Sequence, residues 1–349
     1  EFGFSWLFRT WPNGFTSMSP LYPAITPYLV GHMDVGHGHQ VYWEECGNPK
    51  GRPVVYLHGG PGGGCTPTAR RLFDPHRYRI ILMDQRGCGR STPHAETAHN
   101  FLANLLADLE QLRIARGVDK WLLCGGSWGC TLALAYAKKY TSRVTGMVLR
   151  GVFAAQDQEL DWLYKEGGAS RIFRAEWQAY VEAISALTPL REQRSHGQSC
   201  EVLRAYDEVL QSTHKDQVLA MAKAWCAWED ALSSVHPSEP LLNGYVSPED
   251  ELHCLAMAKI SAHMFAHDPD LGSRGNVLPN MANGYLKDIP GIIVQGQFDM
   301  VTPTETAWQL KQVWPLGQLR VVHTAGHSSQ DPELQRALVA ALDEMLSED

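Results

Sequence analysis

Ser127 sits in Gly125-Gly126-Ser127-Trp128-Gly129, a serine with a glycine two positions away on either side. A serine hydroxyl is a poor nucleophile until a base takes its proton, so acyl transfer at Ser127 requires a histidine, and the histidine requires a carboxylate to orient it. Among fifteen histidines, His327 stands out because Thr324-Ala325-Gly326-His327-Ser328 follows an apolar run that reads as a strand. Asp299 is placed in the same way, after Ile292-Ile293-Val294-Gln295 and before Val301-Thr302-Pro303. Taken singly, Asp299 and His327 read as well as a turn carboxylate and a capping imidazole, whereas the strand before Ser127 and the helix after it set that serine apart from an incidental turn residue. Their joint placement at strand ends, in the order Ser127, Asp299, His327, points to hydrolysis through a covalent acyl intermediate.

Such a reaction needs two donors for the developing oxyanion, each worth about 2.7–4 kcal/mol in the transition state. The N–H of Trp128, next to the nucleophile, is one candidate. The loop His58-Gly59-Gly60-Pro61-Gly62 supplies the second through the N–H of Gly60. Phosphate binding is the rival reading of that loop, but no lysine follows it and the Gly-x-Gly-x-x-Gly spacing is not met. Asp84-Gln85-Arg86-Gly87-Cys88-Gly89-Arg90-Ser91 reads as a structural turn whose charges pin a neighbouring loop. His37 and His39 lack a carboxylate or cysteine at a diagnostic spacing, and the eight cysteines form no zinc pattern, so neither metal nor cofactor is expected.

The elements that would position these groups alternate. Short β-type runs at 28–30, 39–44, 53–58 and 79–84 are followed by a helical leucine pattern over Asn100 to Arg116, a strand over Lys120 to Cys124 and a helix over Thr131 to Tyr140. Val144 to Arg150, Ile289 to Val294 and Leu319 to Val322 continue the strands, and a helix closes the chain from Pro332 to Leu346. This predicts a mostly parallel sheet covered on both faces. Between about 155 and 280 the strand signal vanishes into amphipathic helices. The expected organisation is a leader over 1–17, ending just before Met18, a core of 18–154 and 281–349, and a helical cap over 155–280.

At 349 residues, with 44% hydrophobic and 19% charged residues, the chain reads as an ordinary globular protein. A net charge of −8 leaves no basic stripe for nucleic acid, and no apolar run reaches the ~18 residues of a membrane span. Scattered cysteines suit a reducing cytoplasm. Oligomeric state is not legible.

The motifs together resemble the prolyl aminopeptidases (proline iminopeptidases), serine peptidases of the α/β-hydrolase fold. The resemblance rests on His58 to Gly63, Asp84 to Ser91, Gly125 to Gly129 with Thr131 to Tyr136, Leu149 to Phe153, and Ala224-Trp225-Cys226-Ala227-Trp228-Glu229, and runs from about residue 20 to the end. It implies release of N-terminal proline from small peptides without a metal. It also implies that Glu229 reads the substrate amine and that Phe153, Trp162 and Tyr164 line the ring pocket. The chain departs from the family at Ser261, where a second glutamate is usual. Asn100 to Ala103 lacks the usual Thr-Thr-Trp, Leu163 replaces an aromatic residue, and Thr302 replaces a frequent cysteine. The loss at Ser261 motivates an alternative on the same triad, a carboxylesterase or amidase acting on ester substrates. Hydrolases with an aspartate nucleophile do not fit, because position 127 is serine.

Overall fold

The computed structural model describes residues 20–188, 201–235, 245–272, 277–278 and 284–347, so the expected leader lies outside the described residues. Eight strands form one sheet: β1 (Leu29–Asp34), β2 (Gln40–Gly47), β3 (Arg52–Leu57), β4 (Tyr78–Met83), β5 (Trp121–Ser127), β6 (Val144–Val152), β7 (Gly291–Gly296) and β8 (Gly317–Val322). Their order is β1-β2-β4-β3-β5-β6-β7-β8. The β1–β2 and β2–β4 pairs are antiparallel, and every later pair is parallel. Parallel strands are covered on both faces, which is why β7, Gly-Ile-Ile-Val-Gln-Gly, is buried at every position.

Nine helices are described: α1 (Leu102–Ala115), α2 (Trp128–Lys139), α3 (Asp157–Tyr164), α4 (Arg174–Ser185), α5 (Glu201–Leu210), α6 (Lys215–Ser233), α7 (Pro248–His267), α8 (Thr304–Val313) and α9 (Pro332–Met345). Side-chain alternation along the strands splits the core into two layers. Val55, Leu57, Leu123, Leu149 and Ile293 pack toward α1, α2 and the helices of the 157–267 region. Val54, Leu122, Val148, Ile292 and Val294 pack toward Leu334, Leu338 and Leu342 of α9. The buried stripe Leu102, Leu105, Leu106, Leu109 and Leu112 of α1 follows the i, i+3, i+4 spacing of a helix with one covered face.

Helices α3 to α7 lie in the chain between β6 and β7. They pack around aromatic rings: Tyr180 stacks on Tyr206 at 4.3 Å, Tyr164 on Trp225 at 4.7 Å, and Trp177 meets Trp228 edge-on at 5.2 Å. Helix α7 starts where Ser247 accepts a hydrogen bond from the Asp250 N–H, with Pro248 in the first turn. At α9, Asp331 plays the same part for Glu333 and Leu334. No described helix is long and apolar enough to cross a membrane.

Candidate active site

Ser127 ends β5 and immediately precedes α2, which begins at Trp128 and not three residues later as the sequence pattern predicts. The turn between strand and helix is therefore a single residue. Ser127 bears its strain with φ 56° and ψ −123°, a backbone conformation uncommon outside glycine. The flanking glycines follow from crowding. A Cβ at Gly125 would lie 2.4 Å from the Gly129 carbonyl oxygen, and one at Gly129 would lie 2.0 Å from the Leu57 carbonyl oxygen.

Asp299 and His327 come from the loops after β7 and β8, and the His327 Nδ1 lies 2.8 Å from Asp299 Oδ2. Asp299 is buried and amply satisfied. Its Oδ1 accepts from the N–H groups of Val301 (3.1 Å) and Thr302 (2.7 Å), and its Oδ2 accepts from the Thr302 hydroxyl (3.0 Å) and Gln295 Nε2 (3.2 Å). Those donors fix the orientation of the carboxylate toward His327. Arg150 donates Nη1 to the His327 carbonyl oxygen at 2.8 Å and lies 3.3 Å from its Nε2. A guanidinium only donates, so this contact favours the tautomer with its proton on Nδ1, toward Asp299, and a lone pair on Nε2. Gly151, with φ +58°, passes so near that an added Cβ would lie 3.0 Å from His327 Nδ1 and 3.1 Å from Asp299 Oδ2. The N–H groups of His327 and Ser328 both donate to the Ser233 carbonyl oxygen at 2.9 Å, which ties the histidine loop to the end of α6.

The glycine loop after β3 is pinned from beneath. His58 is buried. Its Nε2 accepts from the Gln85 N–H at 3.0 Å, so its Nδ1 donates to the Gly59 carbonyl oxygen at 2.8 Å. Burial keeps this imidazole below its usual range. Asp84 accepts from the Cys65 N–H (2.8 Å) and from Arg90 Nε (2.7 Å), and Arg90 also reaches Glu44 (2.9 Å). Trp128 opens α2, so its N–H is one of the first-turn donors without an acceptor in its own helix. Its indole is spent elsewhere, donating to Gln85 Oε1 at 2.9 Å.

Ser127, His327 and Gly60 line one cavity of about 260 Å³, together with Glu229, Phe153 and Tyr164. Four of the expected site residues, Trp128, Asp299, Trp162 and Ser261, are not among its lining. Trp162 turns its indole to the Met300 carbonyl oxygen at 2.8 Å. Ser261 is wholly buried and donates its hydroxyl to the Pro61 carbonyl oxygen at 2.9 Å, so it braces the glycine loop from behind. Sequence reasoning missed Asp230, which lines the cavity beside Glu229, and also Arg150, His253, Met257 and Phe265. Adjacency to Glu229 was the available signal for Asp230.

The two acids are the site's unusual electrostatic feature. Burial pushes the Glu229 carboxyl up to about 7, against the hydrogen bond it accepts from the Tyr164 hydroxyl at 2.6 Å, and the neighbouring Asp230 charge adds to the rise. Asp230 is likewise raised by burial, while the Tyr245 hydroxyl bonds to it and His253 acts the other way.

Comparison with known proteins places the chain in a family. Residues 52–334 match the alpha/beta hydrolase fold family. The chain is 44% identical over 326 residues to a proline iminopeptidase of Xanthomonas citri, covering 93% of this chain and 99% of that one. It is 40% identical over 331 residues to a proline iminopeptidase of Arabidopsis thaliana, covering 95% and 83%. Among solved structures, the fold is shared with an esterase from Rhodococcus sp. ECU1013 (TM-score 0.59, 18% identity, 91% and 98% covered). It is also shared with a proline iminopeptidase from Mycobacterium smegmatis (TM-score 0.55, 17% identity, 92% and 100% covered). The chain is a hydrolase of the alpha/beta hydrolase fold and belongs to the proline iminopeptidase family.

Proposed function

We propose that this enzyme is a prolyl aminopeptidase in which Ser127 attacks the carbonyl carbon of an N-terminal proline. The observation that carries the reading is the pair of partly buried acids, Glu229 and Asp230, in the cavity that Ser127 and His327 share. Each is bonded to a phenol and neither to a lysine or arginine among the described residues. An ammonium about 4 Å from a carboxylate gains ~4 kcal/mol at an effective dielectric near 20, before desolvation. The protonated imino group of a terminal proline is such a cation, and Phe153, Tyr164 and Phe265 offer apolar wall for its ring.

In this mechanism His327 Nε2 takes the Ser127 proton as Oγ bonds to the carbonyl carbon. Asp299 stabilises the imidazolium, and the N–H groups of Gly60 and Trp128 receive the oxyanion. The tetrahedral intermediate collapses, the C–N bond breaks, and His327 returns the proton to the departing amine. Water then gives a proton to His327 and attacks the prolyl ester; the C–Oγ bond breaks, proline leaves, and His327 returns the proton to Ser127 Oγ. Residues 155–280 act as a cap on a core of 18–154 and 281–349, with the acid pair contributed from the cap side. Seven described cysteines are free thiols, which supports a cytoplasmic setting.

The esterase alternative drew on the missing glutamate at Ser261. With Ser261 behind the loop and Asp230 in the cavity, a second carboxylate is still supplied, and that motive lapses. The test is hydrolysis of a proline arylamide, the same compound blocked at its imino nitrogen, and a short acyl ester, with Ser127→Ala as blank. The free prolyl compound is expected to be cleaved and the blocked one not; equal turnover of the two refutes the assignment.

A further inference from the structure

On the outer side of α7, His263 and His267 are one turn apart, and Asp207 of α5 faces both. His267 Nε2 lies 2.8 Å from Asp207 Oδ2, and His263 Nδ1 lies 3.6 Å from Asp207 Oδ1. The three donor atoms all fall within 4.8 Å of one another. Each carboxylate oxygen thus faces a different imidazole. The buried His263 Nδ1 has no hydrogen-bond partner, an orphaned polar atom aimed at a carboxylate it does not reach.

We propose that Asp207, His263 and His267 form a binding site for a transition-metal dication, zinc above all, which staples α5 to α7. Two imidazoles and one carboxylate are a common ligand set for zinc, whose bonds to nitrogen and oxygen run ~2.0–2.2 Å. Tetrahedral ligands at that radius are about 3.3 Å apart, a spacing that three donor atoms within 4.8 Å of one another reach by small side-chain rotations. The ligands are also held from behind. Gln211 Nε2 donates to Asp207 Oδ1 at 3.3 Å, and the His263 ring stacks on Phe101 at 5.3 Å. His267 is half exposed, so the open side leaves a fourth position to water. The site lies apart from the catalytic cavity, yet α7 also carries Met257 and Phe265, which line that cavity. A bound ion would stiffen that wall.

The test uses the full chain freed of any histidine tag and stripped with a chelator, titrated with zinc chloride by calorimetry and followed by thermal melting. The expected result is one zinc per chain at micromolar or tighter Kd and a melting temperature raised by zinc, because the ion binds the folded state. His267→Gln, at an exposed position, should fold as the parent does, weaken binding at least tenfold and abolish the thermal shift. His263→Gln should do the same. Cobalt(II) should give the intense visible absorption of a tetrahedral site in the parent and lose it in His267→Gln. Absence of stoichiometric binding overturns the proposal, as does zinc affinity unchanged in His267→Gln, which would place the ion on other histidines.

Discussion

Replacing Glu229 by glutamine removes a charge that the fold holds at a cost. The glutamate carboxyl ordinarily titrates at 4.5 and stands here at about 7, chiefly through burial. Below about pH 4.5 the group is protonated whether the chain is folded or not, and nothing is lost. Between there and about pH 7 the unfolded chain releases the proton while the folded chain keeps it, so stability falls as pH rises; above about pH 7 the full penalty stands. That difference corresponds to roughly 3 kcal/mol, and the residue's partial exposure to the cavity reduces it to about 2 kcal/mol. Glu229→Gln keeps an acceptor for the Tyr164 hydroxyl and carries no charge. Its melting temperature should exceed the parent's by about 2–4 °C near pH 8.5, and the two should nearly coincide near pH 4.5.

The same substitution should harm function where it helps stability. If half of the ~4 kcal/mol attraction to the substrate ammonium survives desolvation, kcat/KM for a proline arylamide should fall about 30-fold. A short acyl ester, which has no ammonium, should change by less than about threefold. The acid limb of the pH profile for the prolyl substrate should also lose the Glu229 ionisation near 7, while the profile for the ester stays as in the parent. Equal losses on both substrates would refute the amine role of Glu229. A variant less stable than the parent near pH 8.5 would refute the electrostatic accounting.

Asp230→Asn should raise KM for the prolyl substrate about fivefold, and, because Asp230 adds to the rise of Glu229, it should move the acid limb to lower pH; kinetics across pH reads both. Ser261→Ala leaves the Pro61 carbonyl without its hydroxyl donor and should cost about 1–2 kcal/mol in denaturant melts, with little change in the ratio of prolyl to ester turnover. Gly151→Ala forces a side chain onto φ +58° against the His327–Asp299 pair, so about 1–3 kcal/mol of stability and at least tenfold in kcat should be lost on both substrates. Ser127→Ala should abolish labelling by a fluorophosphonate that modifies the folded parent.

The catalytic candidates were legible because each stands at the carboxyl end of a strand whose apolar run marks itself, and because parallel strands gather such ends on one edge of the sheet. The pocket was less legible because helical phase decides it. Met257, Ser261 and Phe265 are four apart on α7, yet the backbone at Pro61 comes so close to the middle one that its short side chain bonds there and the cavity opens at the other two. On α3, Leu163 and Tyr164 line the cavity while Trp162 turns to Met300. The Asp207–His263–His267 cluster was hidden for a different reason. Its histidines are one helical turn apart, but the carboxylate arrives from another helix, and no spacing along the chain announces that.

Helix α6 joins what the sequence presents as separate features. It carries Glu229 and Asp230, and the carbonyl of its last residue, Ser233, accepts the N–H groups of both His327 and Ser328. The acids proposed to hold the substrate amine and the loop that presents the candidate base therefore rest on one rigid element, a single helical turn apart. A displacement of α6 that loosened the amine would also release two backbone hydrogen bonds from the histidine loop, together worth roughly 1–3 kcal/mol. Recognition of the terminal imino group and placement of the imidazole are thus not independent terms, and this coupling is a physical reason for an exopeptidase to build its amine site on the insertion and not on the sheet.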